Sequence, residues 1–126
     1  MINKAPLIHP ESVKSLRELG DPGKDFYAEV AHVYLQQAPA KVNEMENALA
    51  ARDFAALNGL AHQLKSASAN LGALGLTDLF IRVEEAAKLK DLENLLAVFP
   101  ELKATFAAVK TELERTAGPV PQKKAA

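Results

Sequence analysis

The 126 residues include no cysteine and no tryptophan. The first absence excludes disulfides, thiolate zinc sites and cysteine nucleophiles. The second, with only two tyrosines and five phenylalanines, weakens any case for a base- or sugar-stacking surface. An excess of one charge is missing too. Fifteen basic and sixteen acidic side chains are interspersed and leave a formal net charge of −1. A nucleic-acid groove or an anionic-membrane patch needs clustered Lys and Arg, so neither partner is expected. No apolar run approaches the ~20 residues that span a bilayer, and "MINKAPLIHPES" lacks the apolar stretch of a secretory leader. The expectation is a single cytoplasmic domain, long enough to bury roughly two-thirds of its unfolded surface without a staple.

What is present is helical periodicity, with no strand alternation and no solenoid repeat. Residues 1–8 read as an N-terminal arm, 9–116 as the domain, and 117–126 ("AGPVPQKKAA" from Ala117) as a disordered tail. Pro10 suits a first helical position, and Val13, Leu16 and Leu19 mark a short helix that Gly20 closes. Asp21-Pro22 reads as the next N-cap and N1, followed by an inward stripe of Phe26, Val30, Val33 and Tyr34. Pro39 should break, kink or restart this helix, because an interior proline costs about 3 kcal/mol. Val42, Met45 and Leu49 continue the stripe to a corner at Ala51–Asp53, with Asp53 as an N-cap.

The next helix runs from about Phe54 to Leu74, with Gly75 as a left-handed terminator and Thr77 capping its successor. That one reaches about Lys90, with Leu79, Phe80, Val83 and Ala87 inward. Asp91 starts the last segment, in which Leu95, Phe99, Leu102, Phe106, Val109 and Leu113 form a core-facing stripe that Pro100 should kink or divide. The fold class is therefore all-α: an antiparallel four-helix bundle with one or two short N-terminal helices.

His62 does not fit the buried stripe of its helix. At about 100° per residue, with Leu57 at zero, Leu60, Ala61, Leu64, Ser68 and Leu71 lie within about 60°. His62 falls at about 140° and Ser66 at about 180°, while Lys65 sits on the flank at about 80°. Around His62 stand Ala55, Gly59, Ser66, Ala69 and Ala73, where a solvated face ordinarily carries Glu, Lys, Arg or Gln. Gly59 in mid-helix costs on the order of 1 kcal/mol against Ala. The arrangement is a nucleophile on a bald patch that another protein's surface can approach.

The stretch "AHQLKSASANLGA" resembles the signature of histidine-containing phosphotransfer (HPt) domains. In that signature a hydrophobic residue lies two after the histidine, a lysine three after, small residues at four to seven and a glycine at ten. His62, Leu64, Lys65, Ser66, Ala67, Ser68, Ala69 and Gly72 occupy these places, with Ser66 where many members have glycine. The resemblance implies a helical bundle that carries a phosphoryl group between response-regulator receiver domains, or between the receiver of a hybrid sensor kinase and a downstream regulator. It implies His62 as phosphoryl acceptor through Nε2. Lys65 would offset the phosphoryl charge, and Ser66 would donate a hydrogen bond to it. Glu84, on the next helix, would accept from Nδ1–H and hold the tautomer. Gly59, Gln63, Ala69, Gly72 and Ala73 would form the docking face, with Ile8 at its rim. No cofactor is implied for this chain, since Mg²⁺ and the acceptor aspartate belong to the receiver. Nor does it show a P-loop for ATP, so it is not expected to be a kinase.

Other chemistries fit less well. His9, His32 and His62 lie far apart in sequence and form no His-x-x-x-His pair and no Glu-x-x-His pair at bundle-core spacing, so no metal site is expected. His62 and Ser66 lack the strand-elbow context of a hydrolase. The alternative is a non-catalytic helical adaptor or inhibitor that docks receiver or kinase domains through the His62 face.

Overall fold

The computed structural model describes residues 7–20 and 23–118. Five helices follow one another: α1 (Pro10–Leu19), α2 (Phe26–Ala50), α3 (Phe54–Asn70), α4 (Leu74–Lys88) and α5 (Leu92–Ala117). The connections from α2 to α5 are three residues each, so successive helices must run antiparallel. Helices α2 to α5 close into a ring in which each packs on two neighbours, and α1 lies against α2. This is the expected four-helix bundle with one short N-terminal helix.

The three tight turns share one construction. Their middle residues, Arg52, Gly72 and Lys90, have φ of 59°, 82° and 56°. In each turn the N–H of the third residue returns to a carbonyl five positions back: Asp53 to Ala48, Ala73 to Ser68 and Asp91 to Ala86, at 2.8, 3.0 and 2.8 Å. A left-handed residue closed by such a bond ends a helix and satisfies its last carbonyls. Asp53 and Asp91 then cap the following helix, accepting from Ala56 N–H and Asn94 N–H, as Asp25 does from Ala28 N–H.

Several boundaries differ from expectation. The chain turns at Gly72, not Gly75. Ala73 is the N-cap of α4, and Thr77 lies inside that helix with its hydroxyl donating to Ala73 O at 2.8 Å. The left-handed cap at Gly72 closes three residues before the apolar spacing suggests. Residues 23–25 are not helical and Asp25 is the cap, so α2 starts later than an Asp21-Pro22 cap would place it; those two residues lie outside the described ones. Gly20 does close α1, but in an extended conformation (φ −78°). It is small because Lys24 O would lie 2.9 Å from any Cβ there.

Neither interior proline breaks its helix. Both α2 and α5 continue through Pro39 and Pro100. Pro100 and Leu96, whose carbonyl the proline deprives of its helical donor, both lie on the exposed side of α5, and the core stripe holds the helix on either side. Helix α5 runs one residue past the expected limit at Thr116, and residues 119–126 of the expected tail lie outside the described ones, as do 1–6 of the arm.

The core follows the predicted stripes in α4 and α5: Leu79, Phe80, Val83 and Ala87, then Leu95, Phe99, Leu102, Phe106, Val109 and Leu113, are buried. The start of α2 differs. Tyr27, Ala31, Tyr34 and Leu35 face inward, whereas Phe26 and Val33 are exposed, Val33 by half. Buried Tyr34 and Ser68 share a hydrogen bond of 2.9 Å between α2 and α3. Burial pushes the Tyr34 phenol up to about 12, so it remains a neutral partner.

Gly72 and Gly59 contrast in a testable way. A Cβ at Gly72 would combine a left-handed φ with an approach of 2.5 Å to Ser12 Cβ on α1, while one at Gly59 would meet nothing within 4 Å. Gly72→Ala should cost at least about 1–2 kcal/mol, and Gly59→Ala should stabilise by roughly 0.5–1 kcal/mol. Urea denaturation reads both; equal effects would contradict these roles for the two glycines.

Candidate functional site

Helix α3 buries Leu57, Ala61, Leu64 and Ser68 on one side. The opposite side carries exposed Ala55, Gly59, His62, Ser66 and Ala69. The small residues leave the imidazole standing clear, with 61% of its side chain accessible.

The ring is held from the neighbouring helix. Glu84 of α4 places Oε2 2.7 Å from His62 Nδ1 and Oε1 2.8 Å from Lys65 Nζ. One carboxylate thus ties the nucleophile candidate and the cation, which stand one turn apart on α3. Glu84 can do this because α3 and α4 run side by side: Asn58 Nδ2, one turn before His62, donates to Glu84 O at 2.8 Å. The Glu84 side chain is only 20% accessible. Lys65 holds the carboxyl below the usual carboxylate range, with a further contribution from His62 and opposition from burial.

The consequence for the imidazole is a division of its nitrogens. A carboxylate accepts but cannot donate, so in the neutral ring Nδ1 carries the proton and Nε2 keeps its lone pair. Nε2 makes no hydrogen bond to a described residue. The neutral form of the ring therefore turns an unshared Nε2 lone pair toward solvent, fixed in tautomer by Glu84, with a cation one turn along the helix.

The residues expected at the site separate into two sets. His62, Lys65 and Glu84 are joined by hydrogen bonds, and Gly59, Ser66 and Ala69 share the exposed face; Gln63 is exposed beside it, bonded through Oε1 to Lys41 Nζ at 2.6 Å. Gly72 and Ala73 do not belong to that face. Both are buried in the α3–α4 turn, where Gly72 O accepts from His9 N–H at 2.8 Å and α1 covers them. Ile8, expected at the rim, is buried in the core because the segment before α1 tucks under that turn.

Two features escape sequence reasoning. Lys41 reaches across from α2 to Gln63, a pairing 22 residues apart that helical spacing does not reveal. Beside it, a groove of about 390 Å³ between α2 and α3 is lined by Phe26, Val30, Val33, Tyr34 and Ala67, with Gln63 at its edge. The surplus of apolar residues at the start of α2 is its only trace in the sequence. Glu29 and His32 do have the Glu-x-x-His spacing used by bundle metal centres, but His32 Nε2 lies 3.1 Å from Ala117 O and 3.2 Å from Gly118 O. No cluster of three metal-ligating side chains occurs among the described residues, and no described helix is long and apolar enough to cross a membrane.

Comparison with known proteins adds three findings. Residues 29–117 match the family model of the Hpt domain. The chain is 28% identical over 103 residues to histidine-containing phosphotransfer protein 5 of Arabidopsis thaliana, covering 79% of this chain and 66%, just under two-thirds, of the plant protein. The fold is similar, with a TM-score of 0.82 at 25% identity, to the crystal structure of histidine-containing phosphotransfer protein B from Pseudomonas aeruginosa, over 90% of this chain and 96% of that one.

The geometry predicts the state of the ring. Histidine ring ¹⁵N spectra above its titration should show the Nδ1–H tautomer for His62, and Glu84→Ala should shift the population toward Nε2–H. The pH dependence of stability follows the same contact. A carboxyl whose folded pKa is depressed contributes stability that is present at neutral pH and lost as pH falls through the folded value. The stability gap between wild type and Glu84→Gln in urea should therefore narrow on acidification below the usual carboxylate range. A gap constant with pH would show that Glu84 acts by packing alone.

Proposed function

The chain belongs to the Hpt domain family, and we propose that His62 accepts a phosphoryl group from a receiver-domain aspartyl phosphate and passes it to another receiver in a multistep phosphorelay. The observation that carries this reading is the division of the imidazole, with Nδ1 bonded to Glu84 and Nε2 open on a face of small side chains. Family membership supports a role in histidine phosphotransfer; the donor, the acceptor and the roles of the residues below are the proposal.

In the forward step the Nε2 lone pair attacks phosphorus in line. The N–P bond forms as the bond to the aspartyl oxygen breaks, and the electron pair leaves with the receiver's carboxylate. The ring enters with a proton on Nδ1 and keeps it, so the attacking imidazole becomes cationic as the N–P bond forms. Glu84 faces that developing charge at 2.7 Å, as the buried carboxylate of a Ser-His-Asp triad faces its imidazolium. Phosphoryl transfer has a loose transition state, in which positioning and charge stabilisation supply most of the rate. Lys65 and the exposed Ser66 hydroxyl lie one turn along α3 from the ring, placed to meet phosphoryl oxygens. Gly59 and Ala69 leave room for the partner's loops, and the apolar groove beside Gln63 offers it surface for a transient interface.

Mg²⁺ and the acceptor aspartate belong to the receiver in this scheme. The chain is a phosphorelay intermediate without an ATP-dependent kinase activity of its own, and a hybrid sensor kinase is the source of its phosphoryl groups. Receivers of that kind place it in the cytoplasm.

Incubation with phosphorylated receiver domains and Mg²⁺ tests the reading. Wild type should acquire acid-labile, alkali-stable label, His62→Gln should acquire none, and Lys65→Ala should be labelled more slowly. Label on His62→Gln, or none on wild type from verified phospho-receivers, would reject phosphotransfer through His62 and leave a docking role.

A further inference from the structure

The cation on this face has a second consequence, which concerns the resting protein and rests on the reading of His62 as nucleophile. A carboxylate in hydrogen-bond contact with an imidazole nitrogen favours the protonated ring, and Glu84 lies 2.7 Å from Nδ1. A protonated ring has no lone pair, so a Glu84 acting alone would stabilise the transition state and also suppress the nucleophile before reaction. The structure contains a counterweight. Lys65 Nζ donates to the other oxygen of the same carboxylate at 2.8 Å, in a pair only 28% and 20% accessible. Sharing its charge with Lys65 weakens the pull of Glu84 on the ring.

We propose that Lys65 neutralises Glu84 in the resting state, so that His62 stays an unprotonated nucleophile, and that it exchanges Glu84 for the phosphoryl group during transfer. The charges balance in each state. At rest, the lysine and the carboxylate cancel beside a neutral ring. After transfer, the phosphoryl dianion on Nε2 draws Lys65 off, and the freed carboxylate faces a ring that is now a cation with its proton still on Nδ1. No proton moves in either direction; one ammonium group changes partner. Lys65 is thus a positioning residue before the reaction and a phosphoryl ligand after it.

Other charged groups stand on the two helices packed against α3. Helix α3 packs against α2 and α4. From α2, Lys41 is bonded to Gln63 Oε1. From α4 come Glu84 itself, exposed Glu85 beside it and exposed Lys88 one turn on. Arg82, also on α4, is turned toward Glu101 of α5.

Removing any nearby cation makes an imidazole easier to protonate, so a single variant does not decide the point; a double-mutant cycle does. The titration of His62 is followed by ¹⁵N NMR in wild type, Lys65→Met, Glu84→Gln and the double variant. The proposal expects Lys65→Met to titrate at higher pH than wild type, and the same substitution to produce a much smaller rise in the Glu84→Gln background. Lys65→Arg, which keeps the charge, should titrate near wild type. Equal rises in both backgrounds would overturn the proposal, since Lys65 would then act on the ring directly.

Phosphorylation by phosphoramidate, a small donor that needs no receiver, reads the consequence. Lys65→Met should be several-fold slower than wild type at neutral pH, and the gap should narrow at alkaline pH, where both rings are unprotonated. A gap that is the same at every pH would mean that Lys65 only binds the phosphoryl group, and would overturn the resting-state role. The titration uses unphosphorylated protein, so it can fail while transfer from receivers succeeds. Conversely, a failure of receivers to label His62 would reject the functional reading without touching the charge arrangement.

Discussion

Leu71, Gly72 and Ala73 reverse the chain between α3 and α4, and the site depends on the register they impose. His62 lies eight residues before the last residue of α3, and Glu84 ten residues after the first of α4. At about 1.5 Å per residue these are ~12 and ~15 Å from the turn, nearly level on adjacent antiparallel helices. A residue inserted within α4 ahead of Glu84 would turn that side chain by about 100° relative to the buried stripe before it and remove it from Nδ1. The left-handed Gly72 makes a three-residue connection possible, and α1 closes over it through the His9 to Gly72 hydrogen bond. An element with no fully buried residue of its own thus braces the turn that aligns the functional groups.

The site needs little from the chain beyond that alignment. In the proposed reaction the nucleophile is an imidazole nitrogen, which requires no strong base, only a fixed tautomer and access. Helix α3 supplies access by placing small side chains around the ring. Helix α4 supplies the tautomer through one carboxylate. The core supplies rigidity: Tyr34 and Ser68 join α2 to α3 through a buried hydrogen bond on the side of α3 opposite the ring. Such a bond leaves no buried polar atom unpaired and favours one packing of the two helices.

Much of this is legible in the residues. The periodic stripes of α4 and α5 place the core, because their apolar spacing is unbroken and Asp91 caps α5 by ordinary N-cap chemistry. The outward direction of His62 follows from counting turns from Leu57. Other features are hidden for physical reasons. Gly72 fits the spacing of a docking signature equally well as a turn residue, and only its backbone conformation separates the two. Gly75 is as good a helix terminator by composition, but no left-handed backbone is needed there. The stripe at the start of α2 misleads because Phe26 and Val33 line an open groove while Tyr27 and Ala31 fill the core. Pro39 and Pro100 suggest breaks that the packing of two long helices overrides. The Lys41–Gln63 contact is out of reach, since pairing between helices depends on their rotation as much as on their sequence.

The central claim is that His62 carries the phosphoryl group on Nε2 while Glu84 keeps the proton on Nδ1. Heteronuclear ³¹P and ¹⁵N spectroscopy of the ring-labelled protein, after phosphorylation by a receiver domain, examines that claim at the atom concerned. The account predicts one phosphoryl group, coupled to Nε2 of His62, with Nδ1 still protonated. Phosphorus on Nδ1, or on His9 or His32, would contradict it.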